Sequence, residues 1–166
     1  MNNLEAAEKI LKNDFAGIRY PEFRVVQSPE QVLQSGYGDC WEQTEVARKI
    51  FEKQNIPCKT YFMDYVNNDR GGTRTHTFLV FQNDDKFCWF EHSWRDHEGI
   101  HCYDSLNALL SDVIKKLQIK SKSDGDQKCE NFRIREYDAP KLPAPHMEIF
   151  YHFLNGREIK AKDLKN

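Results

Sequence analysis

The chain has 166 residues, of which 39% are hydrophobic and 30% are charged, as in an ordinary soluble globular protein. This length supports one domain with a substantial core, so we expect residues 1–166 to form a single domain. The formal net charge of −2 provides no attraction to nucleic acid or to an anionic membrane, and no apolar run is long enough to span a bilayer. We therefore expect neither nucleic acid nor membrane as a partner.

The first third of the chain predicts two short helices separated by an extended segment. Residues 3–13 have the periodicity of an amphipathic helix, and the alternation across 23–26 predicts extended structure. The sequence Ser-Pro-Glu-Gln at 28–31 is a helix start, because a capping Ser is followed by Pro and, three positions after the Ser, by Gln. Gly36 and Gly38 should end that helix.

A longer helix and three strands are predicted next. Asp39 can cap a helix that we expect to run over residues 40–54. Strands are then expected at 58–66, 75–81 and 87–94, from their aromatic and β-branched content and the polar turns between them. The second strand is apolar on both faces, which is typical of a central strand.

The C-terminal part predicts further helices and one strand. Residues 104–118 have the pattern of an amphipathic helix, and the polar stretch 120–128 predicts a mobile loop. A strand is expected near 132–137 and a last helix near 146–155. Beyond these residues the charged tail is expected to be frayed.

The cysteines and the N-terminus bear on the location of the protein. The cysteines are odd in number and scattered, and no CxxC pair occurs among them: Cys40, Cys58, Cys88, Cys102 and Cys129. This pattern predicts reduced thiols rather than a disulfide framework. The first residues lack the basic start and apolar stretch of a signal peptide. Together these features predict a cytoplasmic protein.

Cys40, His76 and Glu91 are the residues whose types and order suggest chemistry. Cys40 is expected in the first turn of its helix, where free backbone N–H groups and the helix dipole favour a thiolate. A hairpin centred near residues 83–84 would make His76 and Glu91 cross-strand partners about 5 Å apart. These three groups together form a nucleophilic site. The imidazole takes and returns the proton of the thiol, and the carboxylate fixes the tautomer of the imidazole.

Four sequence blocks carry a resemblance to a known family: Gly-Asp-Cys at 38–40, Ile-Pro-Cys-Lys at 56–59, Thr-His-Thr-Phe at 75–78 and Trp-Phe-Glu-His-Ser-Trp at 89–94. In this order and at this spacing they resemble the signature blocks of the transglutaminase-like superfamily. The resemblance covers about residues 30–110 and leaves the two ends as peripheral elements. It implies an α+β, papain-like fold in which the cysteine helix packs against an antiparallel sheet.

The resemblance implies a role for each member of the site. Cys40 would be the nucleophile, His76 the general base and acid, and Glu91 would stand where the family usually has Asp. The sequence departs from the family here, because Glu is one methylene longer and His92 replaces the usual Pro. His92 or Asp96 could therefore orient the imidazole instead.

The resemblance also implies an oxyanion stabiliser made of the nucleophile's own N–H and an upstream side chain. Gln34 and Tyr37 are the candidates, and their spacing does not decide between them. Trp41, His92 and His97 are candidates for substrate contact, although an aromatic residue such as Trp41 is more often an ordinary core residue.

The implied activity is acyl chemistry on a peptide or protein amide through a thioester, with no cofactor. Water would make the protein a peptidase or amidase, and an amine would make it a transferase; analogy favours hydrolysis. A different class is a non-catalytic peptide- or protein-binding module that keeps the papain-like frame. A third is a metal-binding domain, because a short stretch holds several residues of metal-ligand type: His92, Asp96, His97, Glu98, His101 and Cys102.

Overall fold

A computed structural model describes residues 2–18, 25–67, 72–125, 132–160 and Leu164. The helices in this part of the chain are α1 (Asn3–Lys9), α2 (Pro29–Ser35), α3 (Cys40–Lys53), α4 (Leu106–Ser123) and α5 (His146–Leu154). The strands are β1 (Val25–Val26), β2 (Cys58–Asn67), β3 (Gly72–Asn83), β4 (Lys86–Glu91), β5 (Gly99–Tyr103), β6 (Arg133–Tyr137), β7 (Ala144–Pro145) and β8 (Arg157–Ile159). A π-helical turn, Ile10–Asp14, follows α1, and a 3-10 turn, Arg95–His97, precedes β5.

Six strands form one antiparallel sheet in the order β5-β4-β3-β2-β6-β8, and β1 pairs separately with β7. The helix α4 covers one face of the sheet, where its leucines and valine meet Phe78 and Trp89. The helices α1, α3 and α5 cover the opposite face. The fold is therefore α+β, as predicted. None of the described helices combines the length and apolar content needed to cross a membrane.

The start of α3 follows from local chemistry. Gly36 ends α2 in a left-handed conformation (φ 71°), which glycine adopts without steric cost. Asp39 then caps α3, because its side chain accepts hydrogen bonds from the N–H groups of Trp41 (2.9 Å) and Glu42 (3.2 Å). Glu42 completes the capping box by accepting from the N–H of Asp39 (2.8 Å). The predicted cap and helix start are confirmed.

Several predicted boundaries are wrong in the second half of the chain. The strand expected over 87–94 ends at Glu91, and β5, which the sequence did not predict, begins at Gly99. The loop expected from residue 120 is helical as far as Ser123, and β8 lies in the tail that was expected to be frayed. Edge strands such as β5 and β8 are held by a neighbouring strand rather than by their own pattern, which explains why the sequence does not reveal them. The predictions at residues 23–24, 68–71, 126–128, 161–163 and 165–166 lie outside the described residues.

The prediction of reduced cysteines is wrong for one pair. Cys88 on β4 and Cys102 on β5 are directly opposed and form a disulfide. The sequence did not reveal this pair because β5 itself was not predicted. Of the other described cysteines, Cys40 and Cys58 are free thiols, and Cys129 lies outside the described residues.

Candidate active site

The backbone of Cys40 is held against β3. The Cys40 carbonyl accepts hydrogen bonds from the hydroxyls of Thr77 (2.6 Å) and Thr44 (2.7 Å). Thr77 follows His76 on β3, so these bonds place the start of α3 beside the strand that carries the histidine. Cys40 and His76 are each 5% exposed, so both partners are buried.

His76 and Glu91 are hydrogen bonded, with 2.7 Å between Nε2 and Oε2. They are not the direct cross-strand partners that the sequence predicted. The hairpin pairs Leu79 with Phe90, so the same register places Glu91 opposite Phe78. Glu91 therefore reaches His76 diagonally, where side chains start farther apart than in a direct pair. The additional methylene of Glu relative to Asp suits this longer reach.

Burial and charge act in opposite directions on His76. Burial lowers the pKa of the imidazole, but the charge of Glu91 and the side chain of Cys40 outweigh burial, and the pKa rises to about 10. The imidazole is thus held protonated by a carboxylate on one side and interacts with the Cys40 side chain. Because Nε2 bonds to Glu91, Nδ1 is the nitrogen available to Cys40.

Glu91 is fixed as a carboxylate by three donors. In addition to His76, its Oε1 accepts from the hydroxyl of Ser93 (2.9 Å) and the N–H of Trp94 (2.9 Å). Burial raises the pKa of Glu91, but the His76 charge and these hydrogen bonds lower it below its ordinary value. Glu91, rather than His92 or Asp96, is therefore the described residue that orients His76 in this structure.

The helix start offers Cys40 less positive potential than its position alone suggests. The N–H groups of Trp41 and Glu42 already donate to Asp39. The carboxyl groups of Asp39 and Glu42 both lie at this first turn, and burial raises the pKa of each. The protonated imidazole of His76 is therefore the main group that can stabilise a Cys40 thiolate. The N–H of Cys40 donates to no other described group, which leaves it free for a substrate oxygen.

The two upstream candidates for oxyanion stabilisation lie on the surface. Gln34 is exposed on α2, and no hydrogen bond joins it to Cys40 or His76 within the described residues. Tyr37 is 38% exposed, and its backbone carbonyl accepts a hydrogen bond from the Ser35 hydroxyl (3.3 Å). Neither residue is buried with the triad.

Gln43 is a buried residue of the site that the sequence analysis missed. Its amide nitrogen donates to the carbonyl of Gly38 (2.6 Å), and its oxygen bonds to Nδ1 of His92 (2.7 Å). Gln43 therefore ties the loop before Cys40 to the residue after Glu91. Its position in the sequence could have indicated this role, because a residue three positions after Cys40 lies on the same face of α3.

The remaining aromatic candidates surround the triad. Trp41 is 3% exposed, donates from Nε1 to the Thr75 hydroxyl (3.2 Å), and stacks on His146 with ring centroids 4.3 Å apart. Trp94 packs edge-on against His76 at 5.3 Å and against His97 at 4.5 Å. His97 thus packs against Trp94, which in turn packs against His76.

The residues proposed for a metal site are not gathered into one. Within the described part of the chain, no three His, Cys, Asp or Glu residues are placed to hold a metal ion. The Cys102 sulfur is bonded to Cys88, and His101 Nε2 is hydrogen bonded to the His97 carbonyl (2.7 Å).

Comparisons with known proteins do not assign this arrangement to a family. No protein-family model matches the sequence, and a search of curated proteins also finds no match.

Proposed function

We propose that this protein is a thiol-dependent enzyme that acts on a peptide or protein amide, with the papain-like arrangement of the transglutaminase-like superfamily. The Cys40 sulfur attacks the amide carbonyl, and the oxygen, as it gains negative charge, is bound by the N–H of Cys40. His76 gives its proton to the leaving amine, which departs and leaves a thioester on Cys40. Water, or a second amine, then attacks the thioester and loses a proton to His76, and the Cys40 thiolate leaves, which restores the starting state.

The buried 2.7 Å contact between His76 and Glu91, beside Cys40, carries this proposal. An unpaired buried carboxylate or imidazolium would be costly, so the pair needs its mutual contact. The raised pKa of His76 also keeps a proton available for the leaving amine. We propose hydrolysis, by analogy alone, as the reaction that resolves the thioester.

The burial of the triad favours a second candidate function. Cys40, His76 and Glu91 are at most 5% exposed, so a substrate carbonyl reaches the thiol only after neighbouring side chains move. A binding module that keeps the papain-like frame would have no need for an accessible thiol. The reactivity of Cys40 in the folded protein distinguishes the two functions.

The test is alkylation by iodoacetamide at neutral pH, mapped to individual cysteines by mass spectrometry. Cys58 is an internal reference, because burial raises its pKa to about 11 and keeps its thiol protonated. The enzyme proposal expects Cys40 to be alkylated much faster than Cys58, and His76→Ala to remove that advantage. His152→Ala is the matched control, since His152 on α5 bonds to the Asp138 carbonyl.

Equal rates at Cys40 and Cys58 in the folded protein would contradict the enzyme proposal and favour the binding module. Loss of the advantage of Cys40 over Cys58 in both histidine variants would point to unfolding rather than chemistry, because unfolding exposes both thiols; circular dichroism therefore accompanies each variant. A scan of peptide amides with wild type and Cys40→Ser then tests turnover, which should be absent in the serine variant.

The cytoplasmic location remains a separate prediction. The disulfide between Cys88 and Cys102 argues against it, because disulfides are rare in reducing compartments. Non-reducing mass spectrometry of protein made in a reducing cytoplasm would show whether this pair is oxidised there.

A further inference from the structure

A row of three polar residues crosses the sheet next to the start of α3. Thr75 on β3 is paired with Asp64 on β2, and Asp64 is paired with Arg133 on β6. Paired residues of neighbouring strands project to the same face of a sheet. The Thr75 hydroxyl accepts a hydrogen bond from Trp41, so this face is the one that carries α3 and Cys40.

The carboxylate of Asp64 pairs with two arginines. Asp64 is fully buried, and its two oxygens are taken by two guanidinium groups, those of Arg133 and Arg135 (2.9 Å for Arg135). Arginine keeps its charge at all ordinary pH values, so one carboxylate faces two cations. Arg135 is almost buried, whereas 42% of the Arg133 side chain is exposed. Arg133 can therefore donate to a further anion.

The cation lies within reach of a substrate bound at Cys40. Neighbouring strands are about 5 Å apart, so the Asp64 carboxylate that binds Arg133 is one strand away from Thr75. The Cys40 carbonyl bonds to Thr77, two residues farther along the same strand. Two strand spacings separate Arg133 from Thr75, which bonds to Trp41, the neighbour of Cys40; this distance of roughly 10 Å is a span of about three extended residues.

We propose that Arg133, held by Asp64, is a subsite for a carboxylate of the substrate, so that the preferred amides carry a negative charge two to three residues from the scissile bond. This inference rests on the proposed function and names its substrate class. A guanidinium matches a carboxylate through two parallel hydrogen bonds, which gives both attraction and orientation. The competing explanation is an ion pair that only stabilises the pairing of β2 with β6. Such a pair would not discriminate between charged and neutral substrates.

The test uses two thiol-directed probes that differ in charge alone. N-chloroacetyl-glycylglycine ends in a carboxylate, and its C-terminal amide is neutral. In either case the Cys40 sulfur displaces chloride from the probe's methylene carbon and forms a thioether, and the extended probe places its terminus about 10 Å from that carbon. We expect the acid to alkylate Cys40 about tenfold faster than the amide in dilute buffer, an advantage worth about 1.4 kcal/mol. The preference should shrink in about 1 M salt, because the Debye length falls to roughly 3 Å.

Three variants separate recognition from stability. Arg133→Gln should abolish the preference for the acid, and Arg133→Lys should retain part of it because the charge remains. Arg74→Gln is the matched control, since Arg74 lies on β3 beside Thr75 but projects to the other face and pairs with Asp124 (2.7 Å). It should keep the full preference.

Each outcome decides a different claim. Equal rapid alkylation of Cys40 by the acid and the amide in the wild type would overturn the subsite and leave the proposed function standing. A preference that survives in folded Arg133→Gln would overturn the assignment to Arg133. Failure of both probes to favour Cys40 over Cys58 would contradict the proposed function itself.

Discussion

Replacing Glu91 by glutamine removes one buried negative charge while keeping the length and shape of the side chain. The glutamine oxygen can still accept from Ser93 and from the N–H of Trp94, which turns its NH₂ group towards His76. The imidazole must then accept at Nε2 and carry its proton on Nδ1. Nδ1 is the nitrogen available to Cys40, so the imidazole of this tautomer cannot take the thiol proton.

The size of the effect follows from the protonation of His76. With a pKa of about 10, the protonated imidazole exceeds the neutral form about a thousandfold at pH 7. Without the Glu91 charge, the largest cause that raises the pKa of His76 is lost, and burial, which lowers that pKa, is opposed by Cys40 but no longer by the carboxylate. A larger share of the imidazole is then neutral at pH 7. Triads held in the wrong tautomer lose about 10⁴-fold in kcat. We expect at least a tenfold loss in the alkylation rate of Cys40.

The same variant changes how stability depends on pH. A raised folded-state pKa means that His76 stabilises the native state fully below pH 6.5 and loses this contribution as pH rises through about 10. Glu91, whose pKa is lowered, contributes above pH 4.5 and loses its contribution as pH falls. The free energy of unfolding should therefore decline between about pH 6.5 and 10 in the wild type. Most of that decline should be missing in Glu91→Gln.

The assay combines iodoacetamide alkylation of Cys40 with urea unfolding across this pH range. Glu45→Gln is the matched control, because Glu45 is also a buried glutamate, 4% exposed, and pairs with Arg48 at 2.9 Å. It should lower stability without slowing alkylation of the folded protein. Folded Glu91→Gln that is alkylated as fast as the wild type would refute the proposed role of the carboxylate.

Three further predictions concern the frame of the site. Glu91→Asp shortens the side chain by about 1.5 Å, so the aspartate is too short for the diagonal hydrogen bond to His76. Alkylation of Cys40 should therefore slow nearly as much as in Glu91→Gln, and an unchanged rate would contradict the diagonal geometry. Thr77→Val removes one of the two hydroxyls that donate to the Cys40 carbonyl and should lower the free energy of unfolding by about 0.5–1.5 kcal/mol, because Thr44 still donates to it. Thr77→Ser should recover most of this loss, and equal urea midpoints for wild type and Thr77→Val would argue against the bond. Replacing Cys88 and Cys102 together by alanine opens a loop closed across 14 positions and should lower the free energy of unfolding by about 3 kcal/mol, measured by urea unfolding. A reductant should destabilise the wild type in the same way, and a wild type whose urea midpoint does not change with reductant would contradict this prediction.

The elements that the sequence predicted well are those specified by neighbouring residues. The Asp39 cap, the start of α3 at Cys40 and the hairpin between β3 and β4 each depend on hydrogen bonds over a few positions. Cys40, His76 and Glu91 were chosen from residue type and order, and the structure brings the three together. Their catalytic role remains a prediction.

The tertiary structure alone decided the rest. The hairpin register is offset by two residues from the one that would pair His76 directly with Glu91, and only the assembled sheet shows the diagonal contact. The disulfide and the Asp64–Arg133 pair join strands whose pairing no local pattern specifies. Capping and turn formation act within one turn of chain, whereas edge pairing and buried ion pairs depend on which distant segments the core brings together. For this reason the sequence by itself identified the chemical groups of the site, and the fold determined their distances and surroundings.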